Sequence, residues 1–140
     1  MRFVLAILAM LCCVSCSTYE PEHGELSVSK MPDLSDTNRI IALPHLTVTG
    51  VQLNDGIQKD EAAILSNEYL RRFVSGCGMP EEPGDRGGFW RVPLYTGYGG
   101  TYSGNFWISK DDGAVFFESA KAFLSKSTRE IVDHYNTRLQ

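Results

Sequence analysis

Residues 89–118 read FWRVPLYTGYGGTYSGNFWISKDDGAVFFE, and this stretch decides the fold. It holds three strand-like runs, Phe89 to Thr96, Ser103 to Ser109 and Ala114 to Glu118, rich in aromatic and β-branched residues and separated by glycine-bearing turns. In the first run Trp90, Val92 and Leu94 alternate with Phe89, Arg91 and Tyr95, which places Trp90 on the face turned to a core. Pro93 cannot donate to a ladder and implies a sheet edge or a bulge. Lys110-Asp111-Asp112-Gly113 reads as a hairpin turn, because glycine tolerates the positive φ that a tight turn demands. Connections this short join antiparallel neighbours, so the stretch predicts a three-stranded antiparallel meander.

Helices flank it. From Asp60 to Val74 the apolar residues Ala62, Leu65, Tyr69 and Phe73 recur three to four apart, widened by Leu70 and Val74 into an amphipathic stripe. Asp55 with Gln58, or Asp60 itself, supplies a start, and Gly76 a left-handed end. Arg71 and Arg72 fall in the last turn, where cations complement the helix dipole. Residues 75–88 read as a loop. From Ser127 to Leu139, Ile131, Val132, Tyr135 and Leu139 share one helical face, with Ser127 and Glu130 spaced as a capping box. Before the first helix, Ile40, Ile41, Leu43, Leu46, Val48 and Val51, broken by Pro44, suggest a short strand or extended packing segment. The order of helix, meander and helix defines an α+β domain.

The chain has 140 residues, 43% hydrophobic and 21% charged, which suits one small domain. Its net charge of -4 is spread without a basic cluster, so nucleic acid is not an expected partner. Residues 1–15 read as a signal peptide: Arg2 is the positive start, and Phe3 to Val14 is an uncharged, mostly apolar run too short to span a bilayer. Cys12, Cys13 and Cys16 lie at the end of that run and only Cys77 lies in the body, which excludes a disulfide framework. The tract Val14-Ser15-Cys16-Ser17 resembles the lipobox of bacterial lipoproteins. That resemblance implies a diacylated Cys16 as the new N-terminus, anchored stably because more than one acyl chain is buried. Ordinary signal cleavage after Ser17 is the alternative. Residues 16–38, rich in Ser, Pro, Glu and Asp, then read as a lipidated tether, and 39–140 as the single α+β domain.

Few residues are placed for chemistry. Cys77 sits between Gly76 and Gly78 beside a helix C-terminus, whose negative end disfavours a thiolate. His23, His45 and His134 are scattered without metal-ligand spacing. The pairs Asp111/Asp112 and Glu81/Glu82 belong to solvated turns and loops. Neither enzymatic activity, a metal nor a cofactor is expected. The informative tract is Tyr95 to Gly104, where Tyr95, Tyr98 and Tyr102 stand on a glycine scaffold. Rigid aromatic side chains on such loops suit partner binding, since they bury area at small entropic cost. The competing reading packs these tyrosines on the sheet.

The run from Glu61 to Phe117 resembles small immunity proteins of the nuclear-transport-factor-like, or cystatin-like, α+β class. The likeness is carried by the helix Glu61-Ala62-Ala63-Ile64-Leu65 through Tyr69-Leu70 and the strand Phe89-Trp90-Arg91-Val92. It continues through Gly99-Gly100 to the hairpin from Ile108 to Val115. Peptidase-propeptide-like (PepSY-type) domains share a similar order. The first resemblance implies a non-enzymatic protein that neutralises a bacterial toxin by covering its site, while the lipobox resemblance, with Ser17 after the cysteine, implies anchoring on the outer membrane, facing the periplasm. The lipobox-like leader and the C-terminal helix depart from the immunity pattern. The alternative is a structural or chaperone-like envelope lipoprotein that binds cell-wall polymer or an assembly partner.

Overall fold

The computed structural model describes residues 32–138, so the signal peptide, Cys16, His23 and most of the tether lie outside the described residues. Within them, six strands form one open antiparallel sheet flanked by helices, an α+β fold. The elements are β1 (Ile40–Ala42), α1 (Lys59–Tyr69), β2 (Gly78–Pro80), β3 (Gly84–Arg86), β4 (Phe89–Thr96), β5 (Thr101–Ser109), β6 (Val115–Ser119) and α2 (Lys126–Arg138). The expected meander is β4–β5–β6, but three strands is a correction. β1 adds to β6, while β2 and β3 both pair with the free edge of β4. The loop expected at 75–88 thus supplies two strands, because the unpaired amides and carbonyls of a long edge recruit any extended segment that can bond to them. Among the described residues no helix is long and apolar enough to cross a membrane.

The sheet's helix-side face carries Trp90, Val92, Leu94, Phe106, Ile108, Val115 and Phe117, packed on Leu65, Tyr69, Leu70 and Phe73 of the first helical segment and Val132 of α2. Tyr69, Phe73, Phe106 and Phe117 make successive tilted and edge-on ring contacts. Such packing contributes beyond area burial. Trp90 is half-buried on this face, and its Nε1 donates to Ile57 O at 2.8 Å, tying β4 to the entry of α1.

Helix ends differ from expectation in instructive ways. α1 begins after Gln58, whose backbone N–H donates to Glu61 Oε2 (2.9 Å) while Gln52 N–H donates to Glu61 Oε1 (2.7 Å), so the buried Glu61 secures the start. After Tyr69 the helix continues as one π-helical turn, Leu70–Val74, that buries Leu70 and Phe73 and leaves Arg71 and Arg72 outside. It ends at Ser75 in extended conformation, not at a left-handed Gly76. In α2 the Ser125 hydroxyl, not Ser127, accepts the Thr128 N–H (3.1 Å), two residues earlier than the Ser127/Glu130 spacing implies. Upstream of β1, Asn38 O accepts Leu124 N–H (2.8 Å) and Thr37 O accepts Arg129 Nη2 (2.8 Å).

Two glycines are required by geometry. Gly113 in the β5–β6 turn has φ +70°, and a Cβ there would lie 2.6 Å from Leu53 Cδ2. Gly104 in β5 has φ +137°, and a Cβ there would overlap the carbonyl oxygen of Glu118 on the neighbouring strand.

Candidate functional site

The β4–β5 hairpin ends in Gly97-Tyr98-Gly99-Gly100, with Gly97 and Gly100 at positive φ and Gly100 N–H donating to Gly97 O (3.2 Å). Gly97 N–H also donates to Cys77 O (3.2 Å), fixing the hairpin to the start of β2. Below the turn the register shifts: Leu94 faces Gly104 but Tyr95 faces Tyr102, leaving Ser103 as the extra residue of a bulge.

This arrangement separates the three tyrosines. Tyr98 at the tip is 106% exposed, free of any packing partner among the described residues. Tyr95 and Tyr102 are half-buried and face one another, ring centroids 5.7 Å apart. Met79 of β2 stands in register with Tyr95 and is 74% exposed; Phe123, between β6 and α2, is 68% exposed. Met79, Tyr98 and Phe123 are the most exposed large apolar side chains of the described residues.

Between the hairpin and the start of α2 lies a cavity of about 260 Å³. Its polar lining comes from Thr96, Tyr102 and Ser103 on one side and Ser119, Ser125 and Thr128 on the other, with Lys121 its single charged residue. Val74 and Phe117 supply apolar surface. Thr96 and Ser103 hydrogen-bond to each other, as do Ser125 and Thr128 (2.7 Å). The lining contains no carboxylate, histidine or cysteine; it offers hydroxyls and an ammonium.

The remaining sequence candidates are dispersed. Cys77 is an exposed free thiol. His45 and His134 are exposed and far apart in the chain, and among the described residues no group of three His, Cys, Asp or Glu is placed to hold a metal ion. Glu82 pairs with Lys59, and that hydrogen bond holds its carboxyl below the usual range. Asp112 is held low by the Ser109 hydroxyl and then by the Ala114 N–H. Asp85 is held low chiefly by its hydrogen bond from the Lys110 ammonium (2.8 Å), which also lies 4.3 Å from the Trp90 ring centroid.

A cluster on the sheet face opposite the described helices escaped sequence reasoning. Trp107, Ile40, Arg91 and Asn105 are buried there, outside the helix-side core. Trp107 Nε1 and Asn105 Nδ2 both donate to Glu118 Oε2 (2.9 Å each), Arg39 Nη2 donates to Glu118 Oε1 (3.4 Å), and Arg91 Nε donates to Asn105 Oδ1 (3.0 Å). Alternation in β4 and β5 places Arg91, Asn105 and Trp107 opposite Val92, Phe106 and Ile108, which was the available signal. Comparison with protein-family models, with characterised proteins and with solved structures finds no match to this chain.

Proposed function

We propose that the domain is a protein-binding module of the bacterial cell envelope that neutralises a toxin by covering its site. In this reading it is a cystatin-like or nuclear-transport-factor-like immunity protein, acts without cofactor or catalysis, and is held on the outer membrane, facing the periplasm, through acylated Cys16. The observation that carries it is the exposure of Tyr98 at the hairpin tip and of Met79 on the strand paired with β4, with Phe123 exposed between β6 and α2. Exposed aromatic anchors of this kind dominate interface energetics when a partner desolvates them. Tyr95 and Tyr102 support the tip from below, and the acidic net charge favours approach of a basic partner.

The test is protection of cells expressing a candidate toxin from a neighbouring gene, together with purified binding, comparing wild type and Tyr98→Ala. Protection that weakens with binding in the folded variant supports the reading; full protection and unchanged affinity would count against the hairpin surface. A second reading, an envelope protein that binds cell-wall polymer, is favoured by the hydroxyl-lined cavity. Sedimentation with purified cell-wall sacculi separates the two, since the first reading expects no co-sedimentation.

A further inference from the structure

Two departures from regular geometry among the described elements border one cavity. The π-helical turn ends at Val74, the extra residue of the β5 bulge is Ser103, and both line the space of about 260 Å³ between the hairpin and α2. Such departures disturb regular hydrogen bonding and recur beside functional sites. Ser119 and Thr128 are buried at the floor of this cavity, while Lys121 and Ser125 are exposed at its mouth. The two walls are joined: Ala120 N–H donates to Ser103 O (3.0 Å), and Lys121 N–H donates to Ser119 Oγ (3.1 Å).

The polar groups of the lining define what it can hold. The Thr96–Ser103 and Ser125–Thr128 hydroxyl pairs each leave oxygen lone pairs over, so the walls can still accept hydrogen bonds from a ligand's hydroxyls. Lys121 brings the one charge of the lining, and among the described residues it makes no ion pair. With no carboxylate beside it, a cation would find no counter-charge there, whereas an ammonium suits a carboxylate. Val74 and Phe117 add apolar surface on which the C–H face of a sugar ring can lie.

We propose that this cavity binds a carboxylate-bearing sugar, whose hydroxyls donate to the threonine and serine oxygens and whose carboxylate pairs with the Lys121 ammonium. The sugar rests on the cell-wall reading above and names the unit that enters; the carboxylate rests on Lys121. A space of this size admits one ring with its substituents, so a polymer is read one sugar at a time. The chain's net charge of -4 gives no general attraction for anions, so recognition needs the ring and the charge together.

The test titrates the ¹⁵N-labelled full chain, at constant pH and ionic strength, with N-acetylmuramic acid, with N-acetylglucosamine, which lacks the lactyl carboxylate, and with acetate. The amide signals of Thr101, Ser103 and Ser125 are followed. N-acetylmuramic acid is expected to shift them saturably, N-acetylglucosamine with affinity about fivefold weaker, the scale of one exposed ion pair, and acetate not at all. Lys121→Gln is expected to bring N-acetylmuramic acid down to the affinity of N-acetylglucosamine and to leave the latter unchanged. The Lys121 side chain is exposed and makes no ion pair among the described residues, so the variant is expected to keep the wild-type amide spectrum elsewhere. No saturable shift in wild type, or shifts confined to other residues, would overturn the proposal. Equal affinity for the two sugars would overturn the carboxylate pairing, and acetate matching N-acetylmuramic acid would overturn the sugar. Failure here is distinct from failure of the cell-wall reading: sacculi that sediment the protein while neither sugar shifts these signals would sink the cavity and spare that reading.

Discussion

Tyr95 and Tyr102 face each other across the β4–β5 ladder with ring centroids 5.7 Å apart and planes tilted by 56°, directly below the fully exposed Tyr98. Two of the three tyrosines therefore support the hairpin and the third is free to contact a partner. Tyr98→Ala is expected to leave the melting temperature unchanged and weaken partner binding by about 2 kcal/mol, the scale of an aromatic anchor. Tyr102→Ala removes a cross-strand aromatic pair and is expected to cost about 1 kcal/mol of stability. Thermal melts and titration of the two single variants check the division; a destabilised Tyr98→Ala would refute it.

Tyr69 links stability to high pH. Its hydroxyl oxygen accepts the Leu46 N–H (3.0 Å), and burial pushes its pKa above the ordinary tyrosine value, outweighing the opposing effect of that bond. The unfolded chain then loses this proton before the folded one does. Tyr69 accordingly contributes stability fully below its unfolded pKa of about 10, and the contribution declines as pH rises from there through the folded pKa. Tyr69→Phe is expected to remove that part of the alkaline decline and to cost about 1–3 kcal/mol at neutral pH, because the buried Leu46 N–H loses its acceptor. Denaturant melts of both proteins at neutral pH and above pH 10 check the sign.

Gly104→Ala is expected to be among the most damaging single-atom additions in the chain. It forces a Cβ into the Glu118 carbonyl at φ +137°, so β5 and β6 must separate where the Glu118 network is anchored. Gly99→Ala, at the open hairpin tip with nothing within 4 Å, is the matched control and is expected to melt with wild type. Parallel thermal scans decide it.

Cys16 gives a prediction independent of the fold. Intact mass of protein recovered from membranes is expected to begin at an acylated Cys16, and Cys16→Ser to release or misprocess it. An unmodified chain beginning at residue 18 would instead show ordinary cleavage.

The meander was legible because Phe89 to Thr96 and its two successors are long, alternate cleanly and end at strong turns. β2 and β3 were not, since Gly78-Met79-Pro80 and Gly84-Asp85-Arg86 contain no apolar period; they become strands only because β4 offers them an edge. The π-helical turn was hidden for a related reason: burying both Leu70 and Phe73 against one face is a packing demand that sequence spacing cannot separate from an ordinary helix. At the candidate site, the exposure of Tyr98 followed from its glycine neighbours. The pairing of Tyr95 with Tyr102 depends on the bulge at Ser103, which shifts the register by one residue. The Glu118 network needs that same register across three strands, so alternation alone could give its face but not its contacts.

Glu118 lets hydrogen bonding and charge be separated in one residue. Its contact with Arg39 is long, and the arginine side chain is 42% exposed, so the ionic part is screened and expected to contribute no more than about 1 kcal/mol. Its other oxygen satisfies two donors, Trp107 Nε1 and Asn105 Nδ2, from buried residues. Glu118→Gln retains one carbonyl oxygen able to accept both, with the amide nitrogen turned toward Arg39, and is expected to lose about 1 kcal/mol. Glu118→Ala leaves both donors without an acceptor, and the expected loss is about 3 kcal/mol or more. Denaturant melts give the two losses, and the Trp107 indole N–H exchange rate reports which variant keeps the bond. Equal losses in the two variants would mean that charge, not hydrogen bonding, holds this face together.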